Sequence, residues 1–169
     1  MGMDIHVNLY KYDEERNQFM KMTLYTWDYK EGKHKEVYLF PGRDHSMFEG
    51  MKHGDETDGY GYFPTRAISL NSFFDPDRKE LEEDMSAQGY FDFWEINLAE
   101  MALYCKEHPV VTDYDAYWDD EDPNFVKPTK KNPICGLYEE ICNYARFVDE
   151  WNWDFEPLSS YKVVIYFDW

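Results

Sequence analysis

The sequence predicts an α+β fold in which an antiparallel sheet, containing the N- and C-terminal strands, carries two to three helices packed on one side. Three observations lead to this prediction. Apolar and polar residues alternate over residues 4–10, helix signals follow one another in the middle of the chain, and alternation returns over residues 161–169. Strands, then helices, then a final strand are an order typical of α+β domains.

Short strands are predicted in the N-terminal part of the chain. Residues 4–10 alternate most cleanly, residues 19–27 are rich in β-formers, and residues 37–40 form a third run that stops at a Pro-Gly pair. Polar turns separate the three runs, so we expect an antiparallel meander. Residues 41–66 are rich in glycine and polar residues, which predicts a loop.

Helices are predicted from capping residues and apolar spacing. The segment Asp75-Pro76-Asp77 opens the first helix, which should end near Gly89. Asn97 opens the second helix, which ends before Pro109, and the third runs from about residue 134 to residue 151. Residues 90–96 are a candidate strand.

Residues 109–132 differ from the rest of the chain because acids, aromatic residues and prolines alternate without a period. They predict an acidic aromatic loop or a short insertion within one domain that spans residues 1–169.

The composition combines a formal net charge of −18 with 20% aromatic residues in 169 residues. The aromatic content predicts a folded domain, and the charge argues against direct nucleic-acid binding and against docking on an anionic membrane. No apolar run is long enough for a membrane span, and the N-terminus lacks the apolar core of a signal peptide, so we expect a cytoplasmic protein. Three cysteines without a CxxC pair, Cys105, Cys135 and Cys142, fall in predicted helices and are expected to pack as small hydrophobes.

One candidate site lies on the terminal strands. Asp4 and His6 leave the same face of the first strand, and Asp168 joins them if the last strand pairs beside it. One imidazole and two carboxylates can hold a divalent metal, which would support a metal-dependent hydrolase with Asp44 or His45 transferring protons. The alternative is a structural hydrogen bond without a cofactor. A second cluster, of His45, His53, Asp55 and Asp58, matches no standard metal spacing and is expected to be a solvated loop.

The other candidate site is the acidic segment itself. Tyr117 and Trp118 are expected to anchor a basic protein surface, while the surrounding acids steer association. The residues assigned to binding are Arg43, Tyr114, Tyr117, Trp118, Asp119 and Asp120. This favours a non-enzymatic binder over an enzyme, with a basic protein surface, such as the face of a nucleic-acid-binding protein, as the partner. An inhibitor or a nucleic-acid mimic is a further possibility, since 18 excess charges equal those of roughly nine base pairs.

Four short segments resemble a family of small uncharacterised bacteriophage and prophage proteins. Residues 2–6 (Gly-Met-Asp-Ile-His) are similar to the family's opening strand, and residues 43–48 (Arg-Asp-His-Ser-Met-Phe) are similar to its Arg-Asn/Asp-aromatic-x-hydrophobic-Phe segment. Residues 166–169 (Tyr-Phe-Asp-Trp) resemble its closing Phe-Asp-Asn strand. Residues 93–98 (Phe-Trp-Glu-Ile-Asn-Leu) correspond to a His-Ser-Trp-Leu-Thr-Leu segment but lack its histidine.

Further departures are His45 in place of the family's tyrosine and Trp169 in place of its terminal asparagine. The resemblance implies a phage accessory protein that acts in the host-cell cytoplasm, with a host nucleic-acid-binding or defence protein as its partner, and it transfers no activity.

Overall fold

The two ends of the chain pair with each other at the centre of the structure, a computed structural model that describes residues 4–37, 39, 45–54, 57–87, 92–148 and 158–168. The strands are β1 (Asp4–Asp13), β2 (Gln18–Lys21), β3 (Leu24–Asp28), β4 (Lys33–Val37), β5 (Phe93–Asn97), β6 (Val110–Thr112), β7 (Thr129–Lys131) and β8 (Tyr161–Asp168). The α-helices are α1 (His45–His53), α2 (Asp75–Ala87), α3 (Leu98–Glu107) and α4 (Pro133–Val148).

The main sheet has the strand order β2-β1-β8-β5, with every neighbouring pair antiparallel. Two further two-stranded sheets are formed by β3 with β4 and by β6 with β7. The α+β class and the presence of both terminal strands in the sheet, as predicted from the sequence, are therefore confirmed.

The larger core lies on one face of the main sheet. Alternate residues of β1 and β8, such as Ile5, Val7 and Ile165, are buried there because strand side chains alternate between faces. Three helices cover this face, with buried side chains from α1 (Met47, Phe48, Met51), α3 (Leu98, Met101, Tyr104) and α4 (Ile134, Leu137, Ile141, Ala145).

The opposite face of the sheet carries a second, smaller core. Val164 and Tyr10 point to this side and pack with Phe73, Phe93 and Leu81, the one fully buried residue of α2. Helix α2 therefore lies across the sheet from the other three helices. Because both faces are covered, Val163, Val164 and Ile165 are all inaccessible to solvent, whichever way they point.

The N-terminal strands differ from the predicted meander. Residues 19–27 form two strands rather than one, because β2 pairs with β1 whereas β3 pairs with β4. Of the third predicted strand, over residues 37–40, Val37 ends β4 and Leu39 forms an antiparallel bridge with Val7, while residues 38 and 40 lie outside the described residues. Gly32, with a left-handed φ of 63°, ends the turn and brings Lys33 opposite Asp28.

The glycine-rich segment 41–66 was expected to be a loop, and this was wrong for its centre, where α1 forms. Gly50 allows this helix to pack closely, since a Cβ at this position would lie 2.3 Å from the Tyr60 ring. The three predicted helices are confirmed, and the Asn97 side chain caps α3 by accepting from the Ala99 amide at 2.9 Å. The predicted end of the third helix, at residue 151, lies outside the described residues.

A buried ion pair joins β5 to β8 on the α2 side of the sheet. Lys162 Nζ lies 3.1 Å from Glu95 Oε1, and the two side chains are 12% and 4% exposed. The ammonium also donates to Ser72 Oγ at 3.0 Å, and it lies over the rings of Phe19 and Phe73. The second Glu95 oxygen accepts from the amide of Ser69 at 3.0 Å. Both charges are therefore compensated away from water.

Replacing Lys162 by methionine should lower the free energy of unfolding by about 3–5 kcal/mol, because the Glu95 carboxylate would remain buried without its cation. Urea denaturation measures the change. The double variant Lys162→Met/Glu95→Gln should recover most of the loss, since no buried charge is left. A single variant that lost less than about 1 kcal/mol would show that the pair behaves like an exposed one.

Candidate functional site

The terminal-strand cluster forms in part. Strand β1 pairs with β8, which places Asp4 opposite Asp168 and His6 opposite Tyr166. The His6 ring stacks on Tyr166 with centroids 4.6 Å apart, and Tyr166 stacks in turn on Phe93 at 4.5 Å. His6 thus belongs to a ladder of parallel rings that crosses β1, β8 and β5.

Within the described ranges, no group of three or more His, Cys, Asp or Glu side chains is arranged to hold a metal ion. Arg43 and Asp44 lie outside the described residues, as does the side chain of His45, whose backbone begins α1. The pairing of β1 with β8, on which the hydrolase hypothesis depended, is therefore present. The described residues, however, contain no group of side chains arranged to bind its metal ion.

Burial and nearby carboxylates, two of them on α2, act on the Tyr166 phenol of this ladder. Burial raises the pKa of Tyr166 to about 12, and the charges of Asp84, Asp168 and Glu80 add to the shift. Burial also raises the pKa of the Asp84 carboxyl, and the neighbouring charge of Glu80 raises it further. Asp84 lies in the last turn of α2, which has no basic residue to balance the helix dipole.

The acidic aromatic segment predicted at 109–132 begins and ends in a pair of short strands. Strands β6 and β7 pair with each other, and the Asp113 amide donates to the Pro128 carbonyl at 2.8 Å. We call this strand pair, together with the Asp113–Pro128 hydrogen bond, the neck. We name residues 113–128, which this neck closes, the acidic loop. It contains six acids and one lysine.

Asn132, which is inaccessible to solvent, holds the neck to both flanking helices. Its Nδ2 donates to the Tyr104 hydroxyl at 3.1 Å and to the His108 carbonyl at 2.9 Å, at the end of α3. Its Oδ1 accepts from the Ile134 amide at 3.0 Å and so caps α4. The Tyr104 hydroxyl in turn donates to the Tyr60 carbonyl at 2.7 Å, and burial raises the pKa of this phenol.

Inside the acidic loop, aromatic rings form a stack. Trp118 lies parallel to Tyr114 with centroids 5.4 Å apart, and Phe125 packs at 5.9 Å from Trp118. The indole Nε1 donates to the Asp113 carbonyl at 3.3 Å, and the Lys127 ammonium lies over the indole. Trp118, predicted to be an anchor for a partner, is therefore half-buried within the loop.

Several acids of the loop stabilise its turns. Asp119 Oδ1 accepts from the amides of Glu121 and Asp122 at 3.1 and 3.2 Å, and Asp122 Oδ1 accepts from the amide of Asn124 at 2.9 Å. Such bonds between an Asp side chain and a nearby backbone amide fix the local backbone. Tyr117 remains 79% exposed, and the carboxylate of Asp120 faces solvent.

A cleft of about 620 Å³ separates α1 from the base of the acidic loop. We call it the α1–loop cleft; its lining residues are Ser46, Glu49, Gly50, His53, Asp58, Tyr60, Thr112, Tyr114, Asp115 and Lys130. Its three carboxylates outnumber its one lysine, Lys130, which lies 4.0 Å from Asp115, so the cleft can accept a further cationic group that has several N–H donors.

Two members of the second predicted cluster, His53 and Asp58, line this cleft. Asp55 and the side chain of His45 lie outside the described residues. His53 Nε2 lies 3.6 Å from Glu49, and the Tyr114 hydroxyl donates to Asp58 Oδ1.

Sequence reasoning missed Asn132 and the face of α1 that lines the cleft. The pair Asn132-Pro133 is a helix-start signal, with a capping residue followed by proline at the first helical position. Ser46, Glu49, Gly50 and His53 have the spacing of one helix face, but glycine and polar residues hide this period in the sequence.

Comparisons with protein-family models, with curated proteins and with solved structures find no match to this chain. Among the described residues, no helix has the length and apolar character needed to cross a membrane.

The Asp84 carboxyl offers a test of these electrostatics. A pKa raised by folding means that the charged form costs stability above the folded pKa, and this cost disappears below the unfolded pKa. Asp84→Asn should therefore stabilise the protein at pH 7 by about 0.5–1 kcal/mol. The difference from wild type should close as the pH falls toward about 4.

The matched control is Asp75→Asn in the first turn of the same helix, where the carboxylate pairs with Arg78 at 3.0 Å. It should not stabilise the protein at pH 7, because an acid favours a helix N-terminus. Thermal unfolding across pH measures both variants. An Asp84→Asn protein that is less stable than wild type at pH 7 would contradict the account.

Proposed function

We propose that this protein is a non-enzymatic binder, whose acidic loop engages a basic surface on a partner protein. The observation that supports this most directly is that contacts within the loop fix its conformation. Its neck is hydrogen-bonded, its Trp118 ring is stacked from within, and its acids fix their own turns, while Tyr117 remains exposed at the surface.

A loop that is ordered before binding loses less conformational entropy when a partner binds. Ordering each flexible side chain at an interface costs about 0.5–1.5 kcal/mol, and a loop that is already ordered avoids much of it. Tyr117 then presents a large aromatic surface with few rotatable bonds, which is typical of residues that contribute most to binding. Val126, 84% exposed, adds apolar surface on the same loop.

The negative charge of the loop attracts a positively charged partner toward it. Asp120, Glu121 and Asp122 are exposed and adjacent. Clustered exposed charges mainly raise the association rate with a partner of opposite sign, and this effect weakens with salt. A basic protein surface, such as the nucleic-acid-binding face of a host protein, is the partner with matching chemistry.

The α1–loop cleft extends the same chemistry inward. Glu49, Asp58 and Asp115 reach it from three different segments, and the rings of Tyr60 and Tyr114 line it. An arginine side chain fits this set because its planar guanidinium donates several hydrogen bonds and stacks on aromatic rings. The resemblance of the chain to phage and prophage proteins supports an accessory role in an infected host.

The test uses a fluorescent nona-arginine peptide and the variant Asp119→Asn/Asp120→Asn/Glu121→Gln/Asp122→Asn. The amides keep the side-chain oxygens that accept the turn hydrogen bonds, so the loop should hold its shape without its charge. Fluorescence anisotropy should show at least about tenfold weaker binding than wild type at about 50 mM NaCl. Wild-type affinity should fall steeply between about 50 and about 200 mM NaCl.

A charge-matched control removes four exposed acids elsewhere, as Glu14→Gln/Glu15→Gln/Glu82→Gln/Glu83→Gln. Because its net charge equals that of the loop variant, it should lose less than about threefold in affinity. Equal losses in the two variants would mean that net charge alone attracts the peptide, which would refute the loop as the site.

A further inference from the structure

Two of the three cysteines meet where the neck of the acidic loop joins the body. Cys105 lies in the last part of α3 and Cys135 in the first turn of α4, and residues 106–134 between them include the whole loop. The sequence predicted only that both pack as small hydrophobes. Their meeting across the neck depends on how α3 and α4 dock.

The Cys135 thiol reaches the backbone of Cys105. Cys135 Sγ lies 3.7 Å from the Cys105 carbonyl oxygen and 3.5 Å from the His108 carbonyl oxygen, so its one S–H is shared between the two acceptors. The two cysteine side chains are also close enough for each to affect the pKa of the other. The His108 carbonyl is the one that accepts from Asn132 as well. The thiol pair therefore lies directly beside the polar contacts that hold the neck.

We propose that Cys105 and Cys135 are a redox-sensitive pair that forms a reversible disulfide with a peroxide oxidant and so closes a covalent ring across the neck of the acidic loop. Cys105 is the more exposed of the two and reacts first. Its sulfur attacks one peroxide oxygen, the O–O bond breaks, and a sulfenic acid and one water form. The Cys135 sulfur then displaces the second water, so both thiols are oxidised and the peroxide is reduced to two waters. This proposal does not depend on what the loop binds.

The surroundings of the pair determine its rate. Burial raises the pKa of both thiols, so little thiolate is present at neutral pH. Oxidation should accompany sustained rather than brief exposure to peroxide, and it should accelerate as the pH rises above neutrality, because more thiolate forms. Burial of Cys135 also protects the disulfide, once formed, from large reductants.

The experiment treats the full chain with hydrogen peroxide at about pH 8 and then traps free thiols under denaturing conditions. The intact mass should fall by two hydrogen atoms, one thiol should remain, and a non-reducing digest should link the peptides of Cys105 and Cys135. The melting temperature should rise by about 5 °C, because the ring limits the unfolded chain. Dithiothreitol should reverse both changes.

Cys142→Ser is the matched control, since Cys142 lies on α4 outside the proposed pair and should leave the disulfide unaffected. Cys105→Ala should abolish it. If the Cys105 variant does not fold, the wild-type peptide map decides alone. A link that involves Cys142, a linked dimer, oxidation without a disulfide, or a disulfide that leaves the melting temperature unchanged would each overturn the proposal.

Discussion

The structure depends on the antiparallel pairing of β1 with β8, which brings the two ends of the chain together. The register runs without a gap from Asp4 opposite Asp168 to Lys11 opposite Tyr161. Both faces of these strands are covered, one by α1, α3 and α4 and the other by α2, so β8 contributes side chains to both cores. Pairing between such distant segments is expected to make folding slow.

This constraint also decides what the polar residues of the sheet can do. Lys162 and Glu95 neutralise each other beneath α2, and His6 lies in a ring ladder. The side chains of these residues contact other residues of the fold, whereas the segment between α3 and α4 contributes acids and aromatic rings to the surface. Asn132 connects the two regions, because it caps α4 and bonds to the end of α3 while the loop projects from the neck beside it. Binding on a loop held by a rigid scaffold is a common division of labour in proteins.

The sequence predicted the strands and helices whose positions depend on residues that are close together in the chain. The alternation in β1 and β8, the Asn97 cap and the apolar spacing of α4 each determine an element within a few residues of sequence. The ion pair could not be predicted, because Glu95 and Lys162 are far apart in the chain. Helix α1 was missed because Gly50, which suggests a loop, is required by the close approach of Tyr60. At the candidate site the sequence predicted both Tyr117 and Trp118 as anchors. Tyr117 is exposed, but Trp118 is half-buried because it stacks on Tyr114, a contact that composition does not reveal.

The central claim is that the acidic loop is ordered before any partner arrives. Amide hydrogen exchange of the free protein tests it most directly, because the amides of Asp113, Glu121, Asp122 and Asn124 all donate hydrogen bonds inside the loop. We predict that these amides exchange at least about tenfold more slowly than the same residues in an unstructured peptide. Exchange at the unstructured rate throughout residues 113–128 would contradict the account, because the exposed acids and Tyr117 would then have no fixed arrangement to offer a partner.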